Sequence, residues 1–275
     1  MKKQRTMNLV WYALAILWGA VTLLPLLITF LSSLKNNNEI NRGIFSLPEH
    51  WRWENYAQAN EMANALTSIG NSIFLAIATT VLVTVVGMMA AYILARKRLF
   101  FVKPIYLFFM IGVMVPVHCT IVPISSIASA WGAKDSYFFI LLVYTAFNLA
   151  QAVFLYTGYI QGIDRELDEA AIIDGCGEVQ LLTKILAPIS KPIIATEAIF
   201  VFIYGYGELI FSLVLLTRPE KYTVSRAMLS FTGEHSTAMG PQFAFIIMAM
   251  IPTVLIYLLF HEKVESGILS GAVKG

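Results

Sequence analysis

An all-α, polytopic membrane protein with six transmembrane helices is what the sequence predicts, and three observations predict it. Hydrophobic residues make up 58% of the 275 and charged residues only 13%, about half the charged share of soluble domains. Stretches nearly free of charge recur six times, and each can supply the roughly 20 apolar residues that cross about 30 Å of hydrocarbon as a helix. These stretches are apolar all round, whereas a membrane strand alternates apolar and polar residues over about ten positions.

The first span, 10–32, follows Lys2, Lys3 and Arg5. Its length and the internal Pro25 favour an uncleaved span over a signal peptide. The loop after it, "KNNNEINRGIFSLPEHWRWENYAQANE", carries Trp51, Trp53 and Tyr56, which suit either the membrane interface or a partner-facing platform. A second span, 69–95, ends on Arg96-Lys97-Arg98. The third, 104–128, holds Pro116, Pro123, His118 and Cys119; His118 is expected as a hydrogen-bonded residue of the bundle. Cys119 and Cys176 form no CxxC and read as inert thiols. The fourth span is 137–160, the fifth 193–217 and the last 240–261, with Pro252 inside it. Prolines in these spans mark candidate kinks, since membrane helices tolerate them. The 19 Lys and Arg divide twelve to seven in favour of the side that holds the N-terminus, so the positive-inside bias places both termini in the cytoplasm. One helical domain, 1–275, follows, in a lipid bilayer and with nothing that points to nucleic acid.

Between the fourth and fifth spans lies the one substantial cytoplasmic segment, 164–191, where residues 166–192 read "ELDEAAIIDGCGEVQLLTKILAPISKP". Glu166, Asp168 and Glu169 crowd the first turn of a helix, where carboxylates complement the positive end, and Asp164 is placed to cap it. Gly175 and Gly177 can take φ > 0 and let the chain reverse. A second helix from about Glu178 sets Val179, Leu182, Ile185, Leu186 and Ile189 on one side at spacings of three and four, and Pro188 and Pro192 close it. Ala170 and Ala171 permit a close approach to a groove. By its residues alone this elbow is either a connector resting on lipid or a surface for docking into another protein.

Catalytic patterns are absent from the sequence. Without G-x-x-x-x-G-K-[ST] there is no phosphate loop for ATP, and neither HExxH nor GxSxG occurs. Ser32 and Lys35 fit S-x-x-K by spacing but lack its companion motifs.

The run Glu169-Ala170-Ala171, then Asp174-Gly175, then Pro188 thirteen residues beyond the glycine, resembles the EAA loop of ABC importer permeases. Pro48 with Asn55-Tyr56, the stretch "DSYFFILLVYTAFNLAQAVFLYTGYIQGIDREL" and the ending "SGILSGAVKG" resemble the carbohydrate branch of that family, its maltose-type second permeases most, so the likeness runs along nearly the whole chain. Two departures stand out: Asp164 where the family has proline, and Tyr206-Gly207-Glu208 where it has W-N-E. The resemblance implies the type I importer permease fold in a bacterial-type inner membrane. It implies a second, different permease chain, two ATPase subunits that bind ATP and Mg, and an extracytoplasmic sugar-binding protein, with no cofactor or metal on this chain.

Under the same resemblance Glu169, Ala170, Ala171, Asp174, Gly175 and Pro188 couple to the ATPase, and the tail Gly271, Val273, Lys274 and Gly275 reaches toward that interface. Glu208 is the one carboxylate well inside an apolar run. With Asn148, Gln151, Tyr204 and Tyr206 it forms the candidate pathway set: amides and rings match a sugar's hydroxyls and C–H faces, and the same side chains equally serve packing. The rival reading is a self-contained secondary transporter or channel, which calls for intramembrane charges or inverted repeats.

Overall fold

The computed structural model describes residues 2–232 and 238–272, and side chains over 11–232 and 238–259. Helix dominates and no strand occurs among the described residues. The long helices are α1 (Lys2–Ser32), α4 (Ala65–Arg96), α7 (Tyr137–Gln161) and α13 (Met239–Ala272). Between them lie α2 (Asn37–Arg42), α3 (Glu54–Ala63), α5 (Val102–Met114), α6 (Ile121–Ala130), α8 (Glu166–Ile173), α9 (Glu178–Ile189), α10 (Lys191–Gly207), α11 (Ile210–Leu215) and α12 (Val224–Ala227). By length and composition four helices can cross a membrane, or up to six if each of two bent pairs is one span. In the expected third span, α5 and the helical turns of Val117–Ala130 meet at 93°. The break falls at Pro116, which has no N–H to carry the ladder onward. Pro25 and Pro252, by contrast, lie inside unbroken helices. The second bent pair, α9 and α10, meets at 80°.

Contacts gather the chain into two compact units. One comprises the chain up to Leu66 with Ala227–Ile251. There the Asn55-Tyr56 pair ties the loop to the end of α1: the Asn55 amide donates to the Ser33 and Lys35 carbonyls (2.8 and 3.0 Å), and the Tyr56 hydroxyl meets Ser33 Oγ at 2.9 Å. Trp53 stacks on Tyr56, yet Trp51 and Trp53 stay exposed. Lys35 is fully buried, its ammonium donating to the Gly43 and Ile44 carbonyls and to Ser46 Oγ. Three acceptors around one cation satisfy a charge that burial would otherwise penalise. This explains Lys35 without any nucleophile chemistry. A Cβ on Gly240 would stand 2.5 Å from the Lys35 carbonyl oxygen and 2.7 Å from Asn55 Nδ2. Gly240→Ala is therefore expected to destabilise this unit by roughly 1–3 kcal/mol, read as a lowered thermal midpoint in detergent; an unchanged midpoint rejects the contact. No residue from Trp11 to Leu31 is buried.

The other unit holds Thr67–Arg226 with Pro252 onward. Its centre is the trio α4, α7 and α10. Gly87 of α4 lies so close to α7 that a Cβ there would meet Tyr156 at 3.2 Å and Ala152 Cβ at 3.3 Å. A Cβ on Gly205 of α10 would meet the Ala76 Cα at 3.3 Å. Small residues let membrane helices approach backbone to backbone, where packing rather than water supplies the attraction. A loop farther along is fixed by Asp135, whose carboxylate accepts from the Thr217 hydroxyl and the N–H groups of Thr217 and Arg218. Burial pushes that carboxyl up, and these bonds outweigh it and hold it below the usual range. His118 and Cys119 lie exposed in the helical turn Val117–Thr120, so His118 is not the bundle residue expected of it.

Candidate functional site

The elbow begins at α8. Its cap position falls on Arg165, with no side-chain capping bond, so the expected cap by Asp164 is not formed. The three acidic residues of its first turn still meet the positive helix end. Helix α8 stops as a glycine-terminated helix should. Gly175 has φ +84°, its N–H donates to the Ile172 carbonyl at 3.0 Å, and the Cys176 N–H reaches the Ala171 carbonyl at 2.9 Å. This paired 5→2 and 6→1 pattern is a Schellman motif, which needs a left-handed residue where it turns. Gly177 then caps the start of helix α9, its N–H donating to the Gln180 side chain.

Within α9, Leu181–Leu186 is π-helical. Bonds of the i→i+5 kind place residues five apart on one side, and Leu181 and Leu186 are the two buried there. The expected apolar face at spacings of three and four is thereby corrected: Leu182 and Ile185 are half-buried, while Val179 and Ile189 point outward. Pro188 occupies the last turn and is exposed. Ala171 packs into the core with Leu181, Leu186 and Cys176, whereas Glu169, Ala170, Asp174 and Gly175 face out. Around them Ile172, Ile173 and Val179 are 61%, 85% and 74% exposed. The outer surface of the elbow is thus apolar with an acidic edge, and its inner surface is core.

The elbow's inner side also carries charge. Arg96 Nε lies 2.6 Å from Asp168 Oδ2, with both side chains nearly buried, and Arg96 Nη2 donates to the Ile163 carbonyl at 3.0 Å. Lys97 pairs with Glu178 at the surface. The hydrogen bond to that carboxylate holds the Lys97 ammonium above its ordinary range. Arg165 in turn donates to the Ala95 carbonyl at 3.4 Å.

The candidate pathway residues fall on two helices. Tyr144, Asn148 and Gln151 follow one face of α7; Glu197, Tyr204 and Glu208 recur at matching helical spacing along α10 and its end. Side-chain bonds join the two rows: the Tyr144 hydroxyl donates to Glu208 Oε2 at 2.7 Å, Gln151 Nε2 to Glu197 Oε2 at 3.3 Å, and the Tyr144 and Tyr204 rings meet edge to face at 6.1 Å. Glu208 sits in the break between α10 and α11 and accepts the Phe211 and Ser212 N–H groups at 2.8 and 3.1 Å. Its carboxylate is buried and caps the helix start, turned inward with both oxygens used. Tyr206 is buried and stacks on Phe202. Asn148 donates to the Tyr144 carbonyl, and Gln151 is exposed.

Glu197 is the residue that the sequence reading passes over. It is 1% exposed, and its Oε1 has no hydrogen-bond partner among the described residues. Its spacing of seven and eleven from Tyr204 and Glu208 was the available signal. Of the tail residues, Gly271 belongs to α13, and Val273, Lys274 and Gly275 lie outside the described residues.

Comparison with known proteins agrees with this architecture. Residues 83–269 match the model of the family described as binding-protein-dependent transport system inner membrane component. The diacetylchitobiose uptake system permease protein NgcG of Streptomyces coelicolor is 30% identical, over 96% of this chain and 88% of that protein. The multiple sugar-binding transport system permease protein MsmG of Streptococcus mutans is 30% identical over the full length of both chains, and the trehalose transport system permease protein SugB of Mycobacterium tuberculosis is 30% identical over 96% of this chain and 97% of its own. A chain in the crystal structure of a bacterial ABC transporter that imports the acidic polysaccharide alginate shares the fold, with a TM-score of 0.81 at 22% identity over 95% of this chain and 98% of that one. With its helices able to span the membrane several times and the family's pattern running through most of its length, this chain belongs to the binding-protein-dependent transport system inner membrane components.

Proposed function

We propose that this chain is a membrane-spanning permease subunit of an ATP-driven carbohydrate importer and forms half of the translocation pathway. The observation that carries this reading is the elbow: a helix, a Schellman turn and a second helix, packed on their inner side and apolar and exposed at Ile172, Ile173 and Val179 on the outer. An exposed apolar patch on a rigid support marks a docking surface. The sugar assignment rests on the relatives' names together with the amides and rings of Asn148, Gln151 and Tyr204, which keep some accessibility.

On this reading the whole chain is one permease domain of six spans with each bent pair counted once, and both termini and segment 164–191 are cytoplasmic. Glu169, Ala170, Ala171, Asp174, Gly175 and Pro188 are the ATPase-coupling residues, and Gly271, Val273, Lys274 and Gly275 lie toward the same interface. A second, different permease chain completes the pathway; the uncovered apolar length of α1 supports a membrane neighbour. Two ATPase subunits bind ATP and Mg, and an external binding protein delivers the sugar. ATP binding closes the ATPases and drives the elbows together, opening the pathway outward, and hydrolysis resets it. Each state is selected by differential binding, so the elbow must transmit displacement without yielding.

Glu197 and Glu208 give the rival secondary-transporter reading its one foothold, since buried carboxylates are what ion coupling uses. Affinity purification from mild detergent followed by uptake in proteoliposomes separates the two. The importer reading expects an ATPase and a second permease to co-purify and uptake to need ATP and a binding protein. Uptake driven by an ion gradient, with the chain alone and no ATP, rejects it.

A further inference from the structure

The elbow is joined covalently to α7 and α10, whereas among the described residues it meets α4 through non-covalent contacts, an apolar core shared with Tyr92 and Ala95 and the polar links at the end of the helix. Consecutive residues at the end of α4 take one helix of the elbow each: Arg96 pairs with Asp168 of α8, and Lys97 with Glu178 of α9. Arg96 Nη2 also donates to Asp168 Oδ1 at 3.4 Å and to the Ile163 carbonyl at 3.0 Å, while Arg165 reaches back to the Ala95 carbonyl. The two ion pairs differ in surroundings. Arg96 and Asp168 have side-chain exposures of 6% and 13%, against 34% and 68% for Lys97 and Glu178. A screened surface pair holds little, whereas a buried pair cannot be separated without stranding a charge.

We propose that Arg96 and Asp168 are positioning residues that yoke α4 to the elbow, so that displacement of the elbow moves α4 together with α7 and α10. The geometry gives this link its direction. Asp168 is buried on the inner side of α8 with Ala171, whereas Ile172 and Ile173 are exposed, so the clasp does not use the surface open to a docked partner. Arg96 is anchored on both sides of Asp164-Arg165, at Ile163 and at Asp168, and therefore grips the entry of the elbow rather than its tip. Lys97–Glu178, being exposed, trims the position of α9 and adds less.

The proposal rests on the importer reading, and the test separates the two. The full transporter is purified with wild-type chain, with Asp168→Asn, with Arg96→Gln, with the exchanged pair Arg96→Asp/Asp168→Arg and with Lys97→Gln. Three quantities are read: ATPase co-purified, basal ATP hydrolysis, and hydrolysis stimulated by the loaded binding protein with the matching sugar uptake. Asp168→Asn and Arg96→Gln are expected to retain assembly and basal hydrolysis and to lose at least tenfold in stimulated hydrolysis and uptake. The exchanged pair recovers part of that loss, and Lys97→Gln stays within about twofold of wild type. If wild type itself shows no ATP-driven uptake, the importer reading fails. If wild type is active and Asp168→Asn is fully coupled, the yoke is rejected and the importer reading stands. Should Asp168→Asn, close to isosteric, lose assembly and basal hydrolysis together, the pair is a folding element and the proposal is overturned.

Discussion

Gly175→Val is expected to reduce co-purified ATPase and coupled uptake by roughly 30- to 100-fold while the chain still reaches the membrane in normal amount. A Cβ at this position meets nothing within 4 Å, so the effect is conformational and not steric. At φ +84° a β-branched residue is strongly disfavoured. Left-handed backbone costs about 1–2 kcal/mol for an ordinary L-residue, and strained positions run to about 3 kcal/mol. About 2 to 2.7 kcal/mol corresponds to the stated factor, because a docking-competent elbow populated at roughly 1–3% lowers apparent affinity by that fraction. Gly175→Asn supplies the control: asparagine visits the left-handed region readily and accepts the same turn. Near-normal coupling in Gly175→Asn beside strong loss in Gly175→Val is the expected pair of results. Equal loss in both points to a need for the bare backbone at the partner surface, and no loss in either rejects the turn as an element of coupling.

Glu208→Ala is expected to lower the amount of folded chain in the membrane and its thermal midpoint, ahead of any effect on sugar selectivity. The substitution strips acceptors from the Phe211 and Ser212 N–H groups and from the Tyr144 hydroxyl at once. Each orphaned donor costs about 1–3 kcal/mol, and inside a membrane there is no solvent to replace the lost partner. Glu208→Gln keeps one acceptor oxygen but presents an NH2 group to donors, so an intermediate loss is expected. A Glu208→Ala chain that folds and assembles normally yet transports with an altered apparent KM would assign the carboxylate to the pathway and sink the capping account.

Local chemistry decided which parts of this protein were legible in its sequence. The elbow could be read because its signals are short-range: three carboxylates in a first turn, a glycine at the reversal, and prolines near the end. Its face could not, because a π-helical stretch at Leu181–Leu186 moved the buried spacing from three and four to five, and no residue pattern announces that register. Proline explains the 93° break after Met114, whereas the interruption at Glu208 was marked only by the glycines of Tyr204-Gly205-Tyr206-Gly207. Glu197 stands six residues past Lys191, near the start of the 193–217 span, and no local pattern marks it for burial. Its burial is set by tertiary packing, and its bond from Gln151 comes from a helix 46 residues earlier. The Asp164 cap was reasonable by residue type, but the helix begins one residue later. Partner choice for Arg96 among the acidic residues of the loop likewise depended on tertiary placement.

The contacts of Gly87 with Ala152 and of Gly205 with Ala76 bear on how motion travels. Where helices touch through long side chains, rotamers can absorb a push, and the joint behaves as a cushion. At Gly205 the neighbouring atoms are the backbone and Cβ of Ala76, and at Gly87 the Ala152 Cβ beside the Tyr156 ring, so little or no side-chain length separates the helices. A thrust delivered at one end of α4, α7 and α10 therefore meets little slack at these two crossings, which favours the three helices moving as one stiff lever.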